Sequence, residues 1–126
     1  MKIPEFCRYC GGKVILSPAS VLNGKKAQGE IYLCTNCNAS VGAHKETKKP
    51  MGTLANKVLS MERAEAHRVF DALWQKWGLS RSKAYEWLAV QMSLPKHRTH
   101  IAYFDIEQCE RVISICREHE DKKEAA

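Results

Sequence analysis

Cys7-Arg8-Tyr9-Cys10-Gly11-Gly12 and Cys34-Thr35-Asn36-Cys37-Asn38-Ala39 decide how the front of this 126-residue chain folds. Each holds two cysteines separated by two residues, a spacing that suits a tight turn whose backbone amides point at the thiolates. Zn²⁺ takes four such ligands at tetrahedral corners. Gly11 and Asn38 follow the second cysteine of each pair, and Gly and Asn tolerate the positive φ that turns the chain away from a metal. Strand-like runs adjoin both turns: Lys13-Val14-Ile15-Leu16 after the first and Glu30-Ile31-Tyr32-Leu33 before the second. The pattern is that of a zinc ribbon, with one structural Zn²⁺ closed by Cys7, Cys10, Cys34 and Cys37. A closed four-thiolate site has no open coordination position, so the metal itself is not expected to be catalytic. Arg8 and Lys13 are expected to help hold the thiolates deprotonated. A thioredoxin-like redox pair would need a βαβ setting, and no helix is predicted here.

Working outward, Asn23-Gly24 between the turns predicts a hairpin with Lys25 and Lys26 at a basic tip. Residues 40–44 are expected to add a third short strand. Lys45-Glu46-Thr47-Lys48-Lys49-Pro50-Met51-Gly52-Thr53 reads as a linker. Beyond it the apolar period changes from 2 to 3.6. A first helix is predicted from Leu54 or Ser60 to Trp77, with Ala66, Phe70, Leu73 and Trp77 on one stripe and Gly78 as its stop. A second starts at Ser80 or Ser82 and ends at Leu94-Pro95, with Ala84, Tyr85, Leu88 and Met92 inward. A third is capped by Asp105 with Gln108 three residues on, and its stripe is Ile106, Cys109, Ile113 and Cys116, with Val112 alongside. The expected class is α+β: a zinc ribbon over 1–49, a three-helix region over 50–117 that packs with it as one unit, and a charged frayed tail over 118–126. Cys109 and Cys116 read as buried small hydrophobes. A second metal site with His67, His97 or His100 stays open.

The chain is 44% hydrophobic and 27% charged, which excludes long disorder. No apolar run approaches the roughly 20 residues that cross a bilayer, and residues 1–7 lack the features of a secretory signal. A cytoplasmic setting is expected. Residues 1–57 carry a net +6, residues 58–104 a net +3 and residues 105–126 a net −3. Positive charge on a ribbon is the footprint of a polyanion partner.

Longer strings add to this. The two cysteine turns, Val41-Gly42-Ala43-His44, Pro50-Met51-Gly52-Thr53-Leu54-Ala55, Ala66-His67-Arg68-Val69-Phe70-Asp71-Ala72-Leu73-Trp74, Ser80-Arg81 with Ala84-Tyr85-Glu86-Trp87-Leu88-Ala89, and His100-Ile101-Ala102-Tyr103-Phe104-Asp105 follow in that order. Over residues 7–116 the chain resembles the small zinc-finger-containing proteins of unknown function found in bacteriophages and prophages. The resemblance implies a bacterial intracellular, phage-derived setting and a four-thiolate zinc site on the cysteines already named. It implies no activity.

The leading expectation is sequence-neutral nucleic-acid binding, to DNA or RNA, by phosphate contacts. The residues expected to make them are Lys25, Lys26, Lys45, Lys48, Lys49, Arg81, Lys83, Lys96 and Arg98, with Tyr9 or Tyr32 available for stacking. Free amides at Pro50–Thr53, beside Lys45, Lys48 and Lys49, would form a phosphate cradle if a helix began there. A helix-turn-helix reading with residues 80–92 as recognition helix offers few base-reading side chains. The alternative is an adaptor or inhibitor docking on a host or defence protein through Trp74, Trp77 or Trp87. No Ser/His/Asp set, phosphate-binding glycine loop or carboxylate pair points to catalysis, and no membrane or small-molecule partner is indicated.

Overall fold

Val14–Pro18 (β1), Glu30–Cys34 (β2) and Ser40–Ala43 (β3) form an antiparallel sheet in the order β1-β2-β3. This is the computed structural model of the chain, which describes residues 2–125, with side chains through 120. Val14 pairs with Cys34 and Pro18 with Glu30 on one side of β2; Leu33 pairs with Ser40 and Glu30 with Ala43 on the other. The central strand is apolar and buried from Ile31 to Cys34 because both faces are covered there. Tyr32 and Cys34 join Cys7, Val14, Ala39, Ala43 and Leu54 on one face, while Ile31 and Leu33 meet Ala19 on the other.

The β1–β2 connection departs from the two-residue turn expected at Asn23-Gly24. Ser20–Asn23 form a single helical turn (α1), and an Ala19 N–H to Gly29 carbonyl bond of 2.9 Å closes the base of the loop. Asn23-Gly24 ends that helical turn instead of reversing the chain between paired strands. Residues 20–22 and 25–27 lack the alternating apolar pattern that would extend the ladder up to a two-residue turn.

The stretch expected to be a linker is folded onto the sheet. His44 N–H donates to the Lys49 carbonyl at 2.8 Å and Lys48 N–H to the His44 carbonyl at 2.9 Å, which reverses the chain. Pro50 then bridges Ala43, and Ala55 exchanges two backbone bonds of 2.9 Å with Ser40. The outer edge of β3 would otherwise leave its amides and carbonyls without protein partners. The first compact unit therefore runs to Val58 rather than 49, and the second covers the remainder.

Helix α2 spans Lys57–Lys76. It begins after Asn56, a residue type favoured at a helix entrance, and not at Thr53. Its buried side is Leu59, Arg63, Ala66, Val69, Phe70 and Leu73; Trp77, expected on the stripe, is half-buried at its margin, as is Trp74. Arg63 is inside because its Nε donates to the Phe104 carbonyl at 2.9 Å. Gly78, at φ 71°, ends the helix with its N–H on the Gln75 carbonyl and the Leu79 N–H on the Trp74 carbonyl, the paired bonds of a Schellman motif.

Helix α3 (Arg81–Met92) is capped by Ser80, whose Oγ accepts from the Lys83 N–H at 3.2 Å. It closes with the same paired motif, here with Ser93 in the left-handed region. Two short 3-10 turns, Lys96–Arg98 and Ile101–Tyr103, lead into α4 (Ile106–Ala125). Asp105 and Gln108 form the expected reciprocal cap: Gln108 N–H to Asp105 Oδ1 at 2.8 Å, and Asp105 N–H to Gln108 Oε1 at 3.0 Å. The buried stripe of α4 is Cys109, Val112, Ile115 and Cys116. Cys109, Cys116 and Val112 are thus inside as expected, whereas Ile106 is 38% exposed and Ile113 half-buried, with Ile115 buried instead. The backbone stays helical through Ala125, past the boundary expected at 117; residue 126 lies outside the described residues. No helix among the described residues is long and apolar enough to cross a membrane.

Candidate metal centre

The two cysteine turns are built alike. Cys7 N–H bonds to the Gly12 carbonyl and Gly11 N–H to the Cys7 carbonyl; Cys34 N–H bonds to the Ala39 carbonyl and Asn38 N–H to the Cys34 carbonyl. Gly11 at φ 76° and Asn38 at φ 66° make the left-handed turn that their sequence positions predicted. The amides of Tyr9, Gly12, Asn36 and Cys37 point at sulfur, with N···S distances of 3.3 to 3.4 Å. Thr35 binds the Lys13 carbonyl through both its N–H and its hydroxyl, each at 2.9 Å, and so ties one turn to the other.

All four Sγ atoms lie within 4.8 Å of one another. Cys7 and Cys37 are 3.6 Å apart, and Cys10 and Cys34 3.4 Å. Tetrahedral corners at a Zn–S length of about 2.3 Å are about 3.8 Å apart, so the sulfur set has the size of a zinc site. Its proton affinities agree. The Asn36 side chain, followed by the Gly12 amide and the Cys34 thiol, pulls Cys10 down to about 6. At Cys37 the Ala39 amide acts downward, but burial and the thiols of Cys10, Cys7 and Cys34 outweigh it and push the group up to about 12. Four adjacent thiols cannot all ionise without a cation to hold them, and a dication supplies it. The donors that favour the Cys10 thiolate are neutral. Arg8, expected to help, instead lies over the Tyr9 ring at 5.6 Å.

Cys109 and Cys116 are enclosed thiols, raised by burial to about 11 and about 12. Among the described residues, no second group of three or more metal-ligating side chains comes together. His44 is exposed and its backbone belongs to the turn that follows β3.

The lysines sort by topology. The zinc turns leave the sheet at the Val14–Cys34 end, whereas residues 19–29 and 44–49 leave it at the Pro18–Glu30–Ala43 end. Lys25, Lys26, Lys45 and Lys49 are exposed on those two segments. Lys48 pairs with Glu30, its carbonyl accepting the Tyr32 hydroxyl at 2.6 Å, so Tyr32 is a buried anchor and not a stacking surface. Tyr9 is exposed, at the zinc end. In the helical unit, Lys83 and Lys96 both hold Glu86, at 3.7 and 3.1 Å, and Arg81 lies over Tyr85 at 5.7 Å. Arg98 is exposed beside Leu94 and Tyr103. On α3 itself, Lys83 thus faces a carboxylate while Arg81 rests on a ring face, exposed to solvent. The expected phosphate cradle at residues 50–53 fails, because the Met51 amide is bonded to the Gly42 carbonyl at 2.8 Å and no helix begins there.

No curated protein and no solved structure matches the chain. The family of zinc-finger-containing domains matches it over residues 3–119, which takes in both cysteine turns and the helices behind them. With four sulfurs placed for one structural zinc ion, the chain belongs to the family of zinc-finger-containing domains.

Proposed function

We propose that this zinc-binding chain is a non-catalytic nucleic-acid-binding accessory protein, of phage or prophage origin, that holds backbone phosphates without reading sequence. The observation that carries the reading is the collection of Lys25, Lys26, Lys45 and Lys49 at the end of the sheet opposite the metal. The net +6 of residues 1–57 supports it, and so does the metal site, whose four thiolates leave no open position for chemistry. Lys48, Lys83 and Lys96 contribute less than the sequence suggested, because each already faces a carboxylate.

The test is fluorescence anisotropy with labelled single- and double-stranded oligonucleotides across a salt series. Each phosphate contact contributes about −0.7 to −0.9 to the slope of log K against log salt, so four lysines predict a slope of roughly −3 to −4. Replacing all four with Ala flattens it. Affinity that does not change with salt refutes the reading. A second reading, docking on a host or defence protein, is favoured by exposed apolar residues on the ribbon, among them Ile15 and Val21. The three tryptophans, expected to supply such a patch, are all half-buried. A nuclease-resistant protein recovered from lysate, without nucleic acid, would support that second reading.

A further inference from the structure

Three separated stretches of the helical unit bring cations and hydrogen-bond donors to one place. They supply His67 from α2, Arg81 and Tyr85 from α3, and His100 and Tyr103 from the turns before α4. The Tyr85 ring packs on Phe70 with centroids 4.9 Å apart and stacks on the His100 imidazole at 5.4 Å and 16°. The Arg81 guanidinium lies over the same ring at 5.7 Å, and His100 meets Tyr103 at 5.3 Å. Tyr85 is only 7% exposed, yet its hydroxyl has no hydrogen-bond partner; the buried Nδ1 of His100 also lacks one. Arg81 and the Ile101 amide lie close enough to the Tyr85 hydroxyl to influence it, but neither closes a bond.

The groups facing this place are nearly all donors or cations. From α2 come His67, with Arg63 behind it on the Phe104 carbonyl, and Asp71, whose Oδ1 already accepts the Trp74 indole N–H at 2.8 Å. From α3 come Arg81 and the Tyr85 hydroxyl, and from the connecting turns the His100 ring and the Ile101 amide. Arg81 is also the first residue of α3, where the helix dipole is positive. An acceptor-rich anion is what this set lacks.

We propose that the cluster is an oxyanion site that takes a phosphate group. A phosphate has acceptors for the Tyr85 hydroxyl and for a protonated His100 Nδ1 together, and its paired oxygens match the planar fork of Arg81. Arg81 is exposed and His67 half-exposed, so the anion arrives from solvent as the guanidinium swings from the ring face onto it. Burial, first of all, holds both imidazoles below their ordinary 6.5. Arg81 adds to this at both, Arg63 at His67 and His67 at His100, while Asp71 opposes it at His67. A seated phosphate reverses this balance, and its binding takes up protons near pH 6.5.

The test is ¹⁵N-imidazole NMR of the zinc-loaded full chain titrated with inorganic phosphate at pH 6.5, against sodium chloride at matched ionic strength. The expected result is a saturating shift at His100 and His67. Arg81→Ala should weaken it at least ten-fold, and Tyr85→Phe, which keeps the stacked ring, several-fold. Arg81→Lys should fall between wild type and Arg81→Ala. Shifts equal to those in chloride, or unchanged by Arg81→Ala and Tyr85→Phe, overturn the proposal. A 5′-phosphorylated oligonucleotide that binds tighter than its 5′-hydroxyl counterpart assigns the phosphate to a nucleic-acid end; equal, weaker binding of both assigns it to the free ion. The ribbon lysines lie in the other unit, so replacing all four should leave the phosphate titration unchanged whatever it does to salt-dependent binding.

Discussion

Gly12 has no room for a side chain. A Cβ there would meet the Asn36 Cβ at 2.8 Å, the Cys34 Sγ at 3.0 Å and the Cys10 Sγ at 3.2 Å. Two of those neighbours are metal ligands, which cannot give way without lengthening bonds to zinc. Gly12→Ala should therefore lower zinc affinity at least ten-fold, a loss of about 1.4 kcal/mol or more, measured by competition with a chromophoric chelator. In the helical unit, His67 and His100 are held below 6.5, by burial first. The unfolded chain then binds protons more readily than the folded one. Their contribution to stability is present above about pH 6.5 and is lost as pH falls through the folded values. Melting temperatures taken from pH 7.5 to pH 5 in chloride should fall, and less so in His100→Gln. The cysteine positions could be read as metal ligands from spacing alone, because a zinc turn is a local structure. The His67–Tyr85–His100 grouping could not, because no spacing within one segment brings those rings together.

Helix ends were the most readable features at the next scale. Gly78, Ser80 and the Asp105–Gln108 pair all act where their residue types pointed, since capping depends on a few adjacent residues. Asp105→Ala removes an acceptor for one orphan amide and should cost about 1 kcal/mol, read from urea unfolding. Gln108→Ala, which removes the reciprocal bond, should cost less. Where the pattern misled, a distant strand or helix had decided the outcome. Residues 50–55 look like a linker with a helix start, but the open edge of β3 takes them as an extra paired segment. On α4 the expected Cys109 and Cys116, with Val112 alongside, are buried, but packing puts Ile115 inside and leaves Ile106 and Ile113 at the margin, which hydrophobicity alone could not decide.

At the scale of the whole chain, the two compact units divide at residue 58, and one of them depends on a metal. Zinc binding in small thiolate domains is worth about 10–16 kcal/mol, and the clusters around this sheet contain few large side chains. Chelation should unfold residues up to 58 and leave much of the helical signal, followed by amide NMR alongside far-ultraviolet circular dichroism. If the sheet resonances survived complete removal of zinc, the ion would not be structural. The length of β2 has one more effect. Four thiolates around a dication leave an excess of negative charge. Five residues of strand separate that excess from the lysine end by about 13 Å, beyond a screening length of about 8 Å in physiological salt. An approaching polyanion at the lysine tip is therefore shielded from the repulsion of the metal cluster, and one small sheet carries charges of opposite sign without either cancelling the other.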